Sequence, residues 1–220
     1  MNSLLDVFML IDDLTVYLCA KGIRFTENGL PLFEKKMFLT EAPDLIVPIQ
    51  QRKNWRIKNQ KKTLLSFFCG DTYIYRRLTK LIDEIDMYKE YMGVIGTDVT
   101  VTKDMDLEWQ RAIILLNQLV MAVFAANGIK IVLNTRMGRA ETKDMFRHIP
   151  KGIMIASGFR GGNRKYDKYD FEYISKVISF CPSKLLIYGK CHKAILNQLK
   201  QFGIDYLMYK DFRELCREVA

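Results

Sequence analysis

Seven short apolar runs, most of them followed by a stretch of helical periodicity, constrain this chain more than any other feature. The runs are DLIVP (44–48), LLSFF (64–68), GVIGT (93–97), IKIVLN (129–134), IMIAS (153–157), KLLIYG (184–189) and DYLMY (205–209). Helical spacing fills roughly 73–90, 107–126, 141–148, 169–181, 192–202 and 211–219. An amphipathic helix is expected over 2–20, where Leu4, Leu5, Phe8, Ile11, Leu14 and Leu18 recur on one face. Only the polar run 49–63 joins two strands without a helical pattern. Near-continuous apolar strands are those buried on both faces. Repeated strand–helix units of this kind give an α/β fold with a mainly parallel sheet.

Two architectures fit, an open doubly wound sheet and a closed or partly closed, TIM-like barrel. The strand ends favour the barrel. Cys69-Gly70-Asp71, Thr97-Asp98, Asn134-Thr135-Arg136, Ser157-Gly158-Arg160 and Tyr188-Gly189-Lys190 each follow an apolar run. A barrel gathers such residues from many strands at one face, whereas an open sheet concentrates them at one switch point. The expected organisation is an N-terminal helix and basic connecting segment over 1–62, then a β/α core over 63–220, in one compact unit.

The blocks FFCGDTYIYRRL (67–78), GVIGTDVTVTKDM (93–105), NGIKIVLNTRMG (127–138), IPKGIMIASGFRG (149–161) and LLIYGK (185–190) occur in an order that resembles a family of bacterial, phage and plasmid proteins, domain of unknown function 4417. The resemblance covers about 64–190. Thr97 stands where the family pattern has proline, and Val99-Thr100 where it has Phe-Ser. The helix segment NQLVMAVF (117–124) has no arginine where relatives carry them. What the resemblance implies is a context, phage and mobile elements in a bacterial cytoplasm, rather than a reaction.

Composition narrows the chemistry. The five cysteines form no C-x-x-C pair, so neither a disulfide framework nor a zinc site is expected. Two histidines far apart, His148 and His192, support neither a histidine metal centre nor a Ser-His-Asp triad. The N-terminal stretch is interrupted by Asp6, Asp12 and Asp13 and does not read as a signal peptide. The apolar tract Ala112–Ala126, broken by Asn117 and Gln118, reads as too short and too polar for a bilayer. A soluble cytoplasmic protein with no membrane partner is expected. The net charge of +9 favours a polyanionic partner: nucleic acid, a nucleotide or an acidic host protein.

Asp98 and Asp71 are the candidate catalytic residues. Carboxylates at neighbouring strand ends can converge, which splits acid from base or binds Mg²⁺. Asp71 also suits the N-cap of the helix that follows it. Arg136, Arg160, Arg164, Lys165 and Lys190, in loops between strand and helix, are candidate phosphate ligands. QQRKNWRIKNQKK (50–62) holds six basic residues, no acid and one tryptophan; its Arg52, Lys53, Trp55 and Arg56 combine phosphate contacts with stacking. Tyr166 and Tyr169 offer further stacking beside the glycine-rich loop. Cys69 occupies a position open to a nucleophile, and His192 to an acid–base group. Two functions remain open. One is a protein acting on or binding a phosphate-bearing ligand through Asp98 at the mouth of the sheet. The other is a non-enzymatic protein that engages nucleic acid or a host defence or replication complex through basic loops.

Overall fold

The structure, a computed structural model, describes residues 4–159 and 171–217. Its elements in chain order are α1 (Leu4–Ala20), β1 (Leu45–Pro48), β2 (Thr63–Ser66), α2 (Asp71–Leu78), α3 (Ile85–Lys89), β3 (Gly93–Ile95), α4 (Leu107–Ala126), β4 (Ile131–Asn134), β5 (Met154–Phe159), α5 (Phe171–Ser179), β6 (Lys184–Gly189), α6 (Lys193–Gln201), β7 (Tyr206–Tyr209) and α7 (Phe212–Arg217). All seven strands are parallel and lie in one sheet in the order β1-β2-β3-β4-β5-β6-β7. A sheet whose spatial order repeats its chain order has no switch point. It curls into a nearly closed, TIM-like barrel.

Two apolar populations explain the continuous runs. Ile46, Leu64, Ile95, Val132, Met154, Ala156 and Leu186 face inward and form one buried cluster. Leu65, Val94, Ile131, Leu133, Ile155, Leu185 and Ile187 alternate with them and pack into the outer core shared with the helices. Strands β1 to β6 are therefore covered on both faces; β7 is only partly buried, with Met208 exposed. Leu39 belongs to the inner cluster, and its N–H bonds the carbonyl of Ile131 at the start of β4 (2.9 Å), so it plugs the N-terminal end. Phe68 and Tyr188, with rings stacked 5.4 Å apart, close the other end.

The seam between β7 and β1 is bridged by a side chain: the Tyr209 hydroxyl donates to the Pro43 carbonyl (2.8 Å). Burial, and then the Asp44 carboxylate, push the Tyr209 pKa up to about 12, so the hydroxyl keeps the proton it donates. Tyr209→Phe should cost about 1 kcal/mol and speed amide hydrogen exchange along β7 and β1. Unchanged exchange in both strands would deny the bond its closing role.

Two helices expected from the sequence need correction. The helix expected over 73–90 is two helices, α2 and α3, separated by turns over 79–84. The Thr79 hydroxyl bonds the Arg76 carbonyl (3.1 Å) and competes with the helical ladder there. The helix expected over 141–148 is a 3-10 segment, Ala140–Phe146; the Thr142 hydroxyl takes the Arg139 carbonyl and the Gln118 amide takes the Met145 carbonyl (2.8 Å each). The apolar tract read as too short for a bilayer lies in the 20-residue α4, which by length and composition is long and apolar enough to cross one. Its apolar surface is used internally: most of it is buried, and Val7, Ile11, Leu14 and Leu18 of α1 share its core. β1, on the N-terminal side of the division expected at residue 63, pairs along its whole length with β2. The connection between them holds only two 3-10 turns, Ile49–Gln51 and Gln60–Lys62.

Candidate functional site

The C-terminal ends of the strands surround a cleft of about 940 Å³. Its floor includes Phe68 and Tyr188, and its walls carry Asp71, Asp98, Thr100, Arg136 and Lys190. Cys69 and Gly158 also line it. Gly158 is required there, because a Cβ would lie 2.7 Å from the Phe68 ring.

α4 sets two of the loops that build this mouth. Its N-terminus is capped by the Asp106 carboxylate, which accepts from the N–H groups of Glu108 (2.9 Å) and Trp109 (3.4 Å). One turn on, the fully buried Gln110 accepts from the Arg139 N–H (2.7 Å) and donates to the Met105 carbonyl (2.8 Å). That fastens the loop after β4, which carries Arg136, to the helix. Asn117 accepts from the Thr97 hydroxyl (2.7 Å) and donates to the Val99 carbonyl (3.5 Å), bracketing Asp98.

Asp98 and Arg136 then meet side-on. Arg136 Nε donates to Asp98 Oδ1 (2.8 Å) and Nη2 to Oδ2 (3.1 Å). Asn134 Nδ2 adds a third bond to Oδ1 (2.9 Å). Both side chains are largely enclosed, Asp98 at 16% and Arg136 at 28% exposure. Burial alone would lower the Arg136 pKa. The charge and hydrogen bonds of Asp98, with the charge of Asp71, outweigh it, so the guanidinium sits above its ordinary value and stays charged. Asp98, expected as an acid–base group, has both carboxylate oxygens engaged by Arg136.

Asp71 is freer. It opens α2 one residue inside Gly70, the residue at the N-cap position, and does not cap the helix. Its Oδ1 accepts from the Thr100 N–H (3.3 Å) and hydroxyl (3.1 Å). Its Oδ2 takes no hydrogen bond among the described residues. The structure thus brings Asp71, Asp98 and Arg136 together, from the ends of three different strands.

The other sequence candidates fall elsewhere. Lys190 lies on the cleft wall, paired with Glu214 (2.9 Å). Arg52 turns inward: its carbonyl accepts from the Tyr91 hydroxyl (2.5 Å), and its Nε is buried with no partner among the described residues. Lys53, Trp55 and Arg56 are outside the cleft lining. Arg160, Arg164, Lys165, Tyr166 and Tyr169 lie outside the described residues. His192 caps α6, its Nδ1 accepting from the Ala194 N–H (3.2 Å); that lone pair is therefore engaged in structure. Among the described residues no group of three or more His, Cys, Asp and Glu side chains is arranged to hold a metal ion. A Mg²⁺ ion at Asp71 and Asp98 would compete with the Arg136 charge that already serves both.

Several mouth residues escape sequence reading. Gln50 and Gln51 come from the connection after β1, and Asp211, Arg213, Glu214 and Arg217 from around α7. Their position just beyond the apolar runs of β1 and β7 is the signal that could have found them. Tyr188 accepts from the Phe212 N–H (2.8 Å) and draws the start of α7 to the cleft.

Comparisons with curated proteins and with solved structures give no match. The chain belongs to the family described as Domain of unknown function (DUF4417), whose sequence pattern matches residues 28–209 and so contains the whole of the 64–190 span that carries the resemblance.

Proposed function

We propose that the barrel mouth binds a phosphate-bearing ligand, a nucleotide or nucleic acid, with Arg136 as its anchoring cation. One observation carries this reading. Arg136 gives Nε and Nη2 to Asp98, while its Nη1 has no protein partner among the described residues and the side chain lines the cleft. A guanidinium braced in this way presents fixed donors to a phosphate oxygen at little entropic cost. Asp71, with an unbonded carboxylate oxygen in the same cleft, is the group placed for proton transfer to or from the bound ligand. The cleft volume suits a nucleotide-sized group.

The described lining carries Arg136, Lys190, Arg213 and Arg217 against Asp71, Asp98, Asp211 and Glu214. With opposite charges matched, selectivity comes from geometry rather than from a general positive field. Within this reading the protein works in a bacterial cytoplasm for a phage or mobile element.

Calorimetric titration with pyrophosphate and ATP at low salt tests the reading. Wild type should bind both. Arg136→Lys, which keeps the charge but loses the fork, should bind about tenfold more weakly with an unchanged near-ultraviolet circular dichroism spectrum. No binding by wild type, or equal binding by the folded variant, would overturn it.

A further inference from the structure

We infer that the ligand is single-stranded nucleic acid, and that it is gripped by Trp55 and its neighbours on the segment leaving the mouth. The path of the strand out of the mouth rests on the mouth reading above; the Trp55 surface stands on separate observations. Trp55 is 70% exposed, in a chain whose other tryptophan, Trp109, packs edge-on to Phe8 with ring centroids 6.3 Å apart. An indole this exposed is open to a stacking partner. The Arg56 guanidinium lies over the Trp55 ring, 4.5 Å from its centroid. That arrangement pairs a stacking platform with a cation.

Lys53 and Lys58 flank the pair, both exposed and both without an ion-pair partner among the described residues. Lys62 is held by Asp44 (3.8 Å), and Lys61 donates to the Lys89 carbonyl (2.9 Å). The segment 50–62 contains no acidic residue. It begins at Gln50 and Gln51, which line the cleft, so a strand bound in the mouth can continue onto it. An exposed indole needs an open base face, which a single strand offers and a duplex hides in its stack. Cations beside the ring then meet the backbone phosphates.

The test is quenching of tryptophan fluorescence by oligo(dT) of about twelve nucleotides, the scale of a single-strand site, across a salt series, with pyrophosphate titrated in parallel. Wild type should be quenched, with log affinity falling linearly with log salt. Trp55→Ala should lose the quenching and bind about tenfold more weakly. Lys53→Gln with Lys58→Gln should flatten the salt slope by about 0.7 per charge removed. All three are surface changes, so the fold is not at issue. Pyrophosphate binding should be the same in every one of these variants. Oligonucleotide binding that is unaffected by Trp55→Ala would overturn the inference. So would equal affinity for a duplex of the same length or for polyglutamate. If pyrophosphate binds and oligo(dT) does not, the mouth reading stands and this one falls; if neither binds, both fall.

Discussion

Asp98→Ala is expected to lower the unfolding free energy by about 3 kcal/mol and to weaken ligand binding in the same variant. The stability loss comes from the partner left behind. Arg136 would keep its charge in a largely enclosed site with its bidentate acceptor gone, and the Asn134 amide would lose an acceptor as well. Removing one member of a buried pair costs about 3–5 kcal/mol. The lower end applies because Arg136 retains 28% exposure and water can partly replace the carboxylate. Binding falls because an unbraced guanidinium no longer points in one direction. Urea denaturation gives the first quantity as a shift in midpoint at constant slope. A variant that unfolds at the wild-type midpoint would show that the pair does not brace the mouth. Asp71→Ala makes the contrast: it removes the Thr100 contacts and a charge near Arg136 but leaves the bidentate pair whole, and should leave the midpoint nearly in place.

Gly189→Ala is expected to be at least as damaging, for a reason of backbone alone. Gly189 ends β6 with φ of +92°, and a Cβ there would lie 2.0 Å from the Phe159 carbonyl oxygen. That carbonyl belongs to the longest ladder of the barrel, in which Gly158 and Phe159 pair with Tyr188 and Gly189. The methyl group cannot be accommodated without opening the strand end that carries Tyr188 and leads to Lys190. A loss of about 3 kcal/mol or more follows, read as a fall in Tm of roughly 6–12 °C for a chain of this size. Gly203→Ala is the control: φ is +66° but the space is open, so only the conformational cost of about 1 kcal/mol applies. Equal melting temperatures for the two variants would mean that the close approach to Phe159 is relieved easily.

Six of the strands were legible because burial on both faces writes them as apolar runs; β7 also stands at such a run, although it is only partly buried. Their ends were less so: Phe67 and Phe68, read as strand, lie beyond the end of β2 at Ser66. Apolarity marks burial, and burial continues past the last ladder bond. The break between α2 and α3 was hidden for a similar reason. Ile74, Leu78, Leu81, Ile85 and Tyr88 are all buried at helical spacing across it, so periodicity gives no sign of the interruption. Polar residues at strand ends did lead to Asp71, Asp98, Arg136 and Lys190 on one cleft. The pairing of Asp98 with Arg136 was not legible. The two sit on neighbouring strands far apart in sequence, and no local pattern records which side chain a loop turns towards. The inward turn of Arg52 was invisible too, since a run of basic residues looks alike whichever of them the tyrosines beneath recruit.

The agreement between spatial and chain order of the strands has a kinetic consequence. Every ladder joins a strand to the one made just before it, and the entropic cost of closing each such loop grows only with the logarithm of its length. As the chain emerges from the ribosome, each new strand already has a finished edge to dock on. The bond from Tyr209 to Pro43 is different, because it joins strands from opposite ends of the sheet and must wait for the last of them. A translation product cut short before Tyr206 would retain the first five pairings and expose the edge of β6 as an open template for another chain. Growth of the barrel is thus vectorial, and its last unit serves to terminate it.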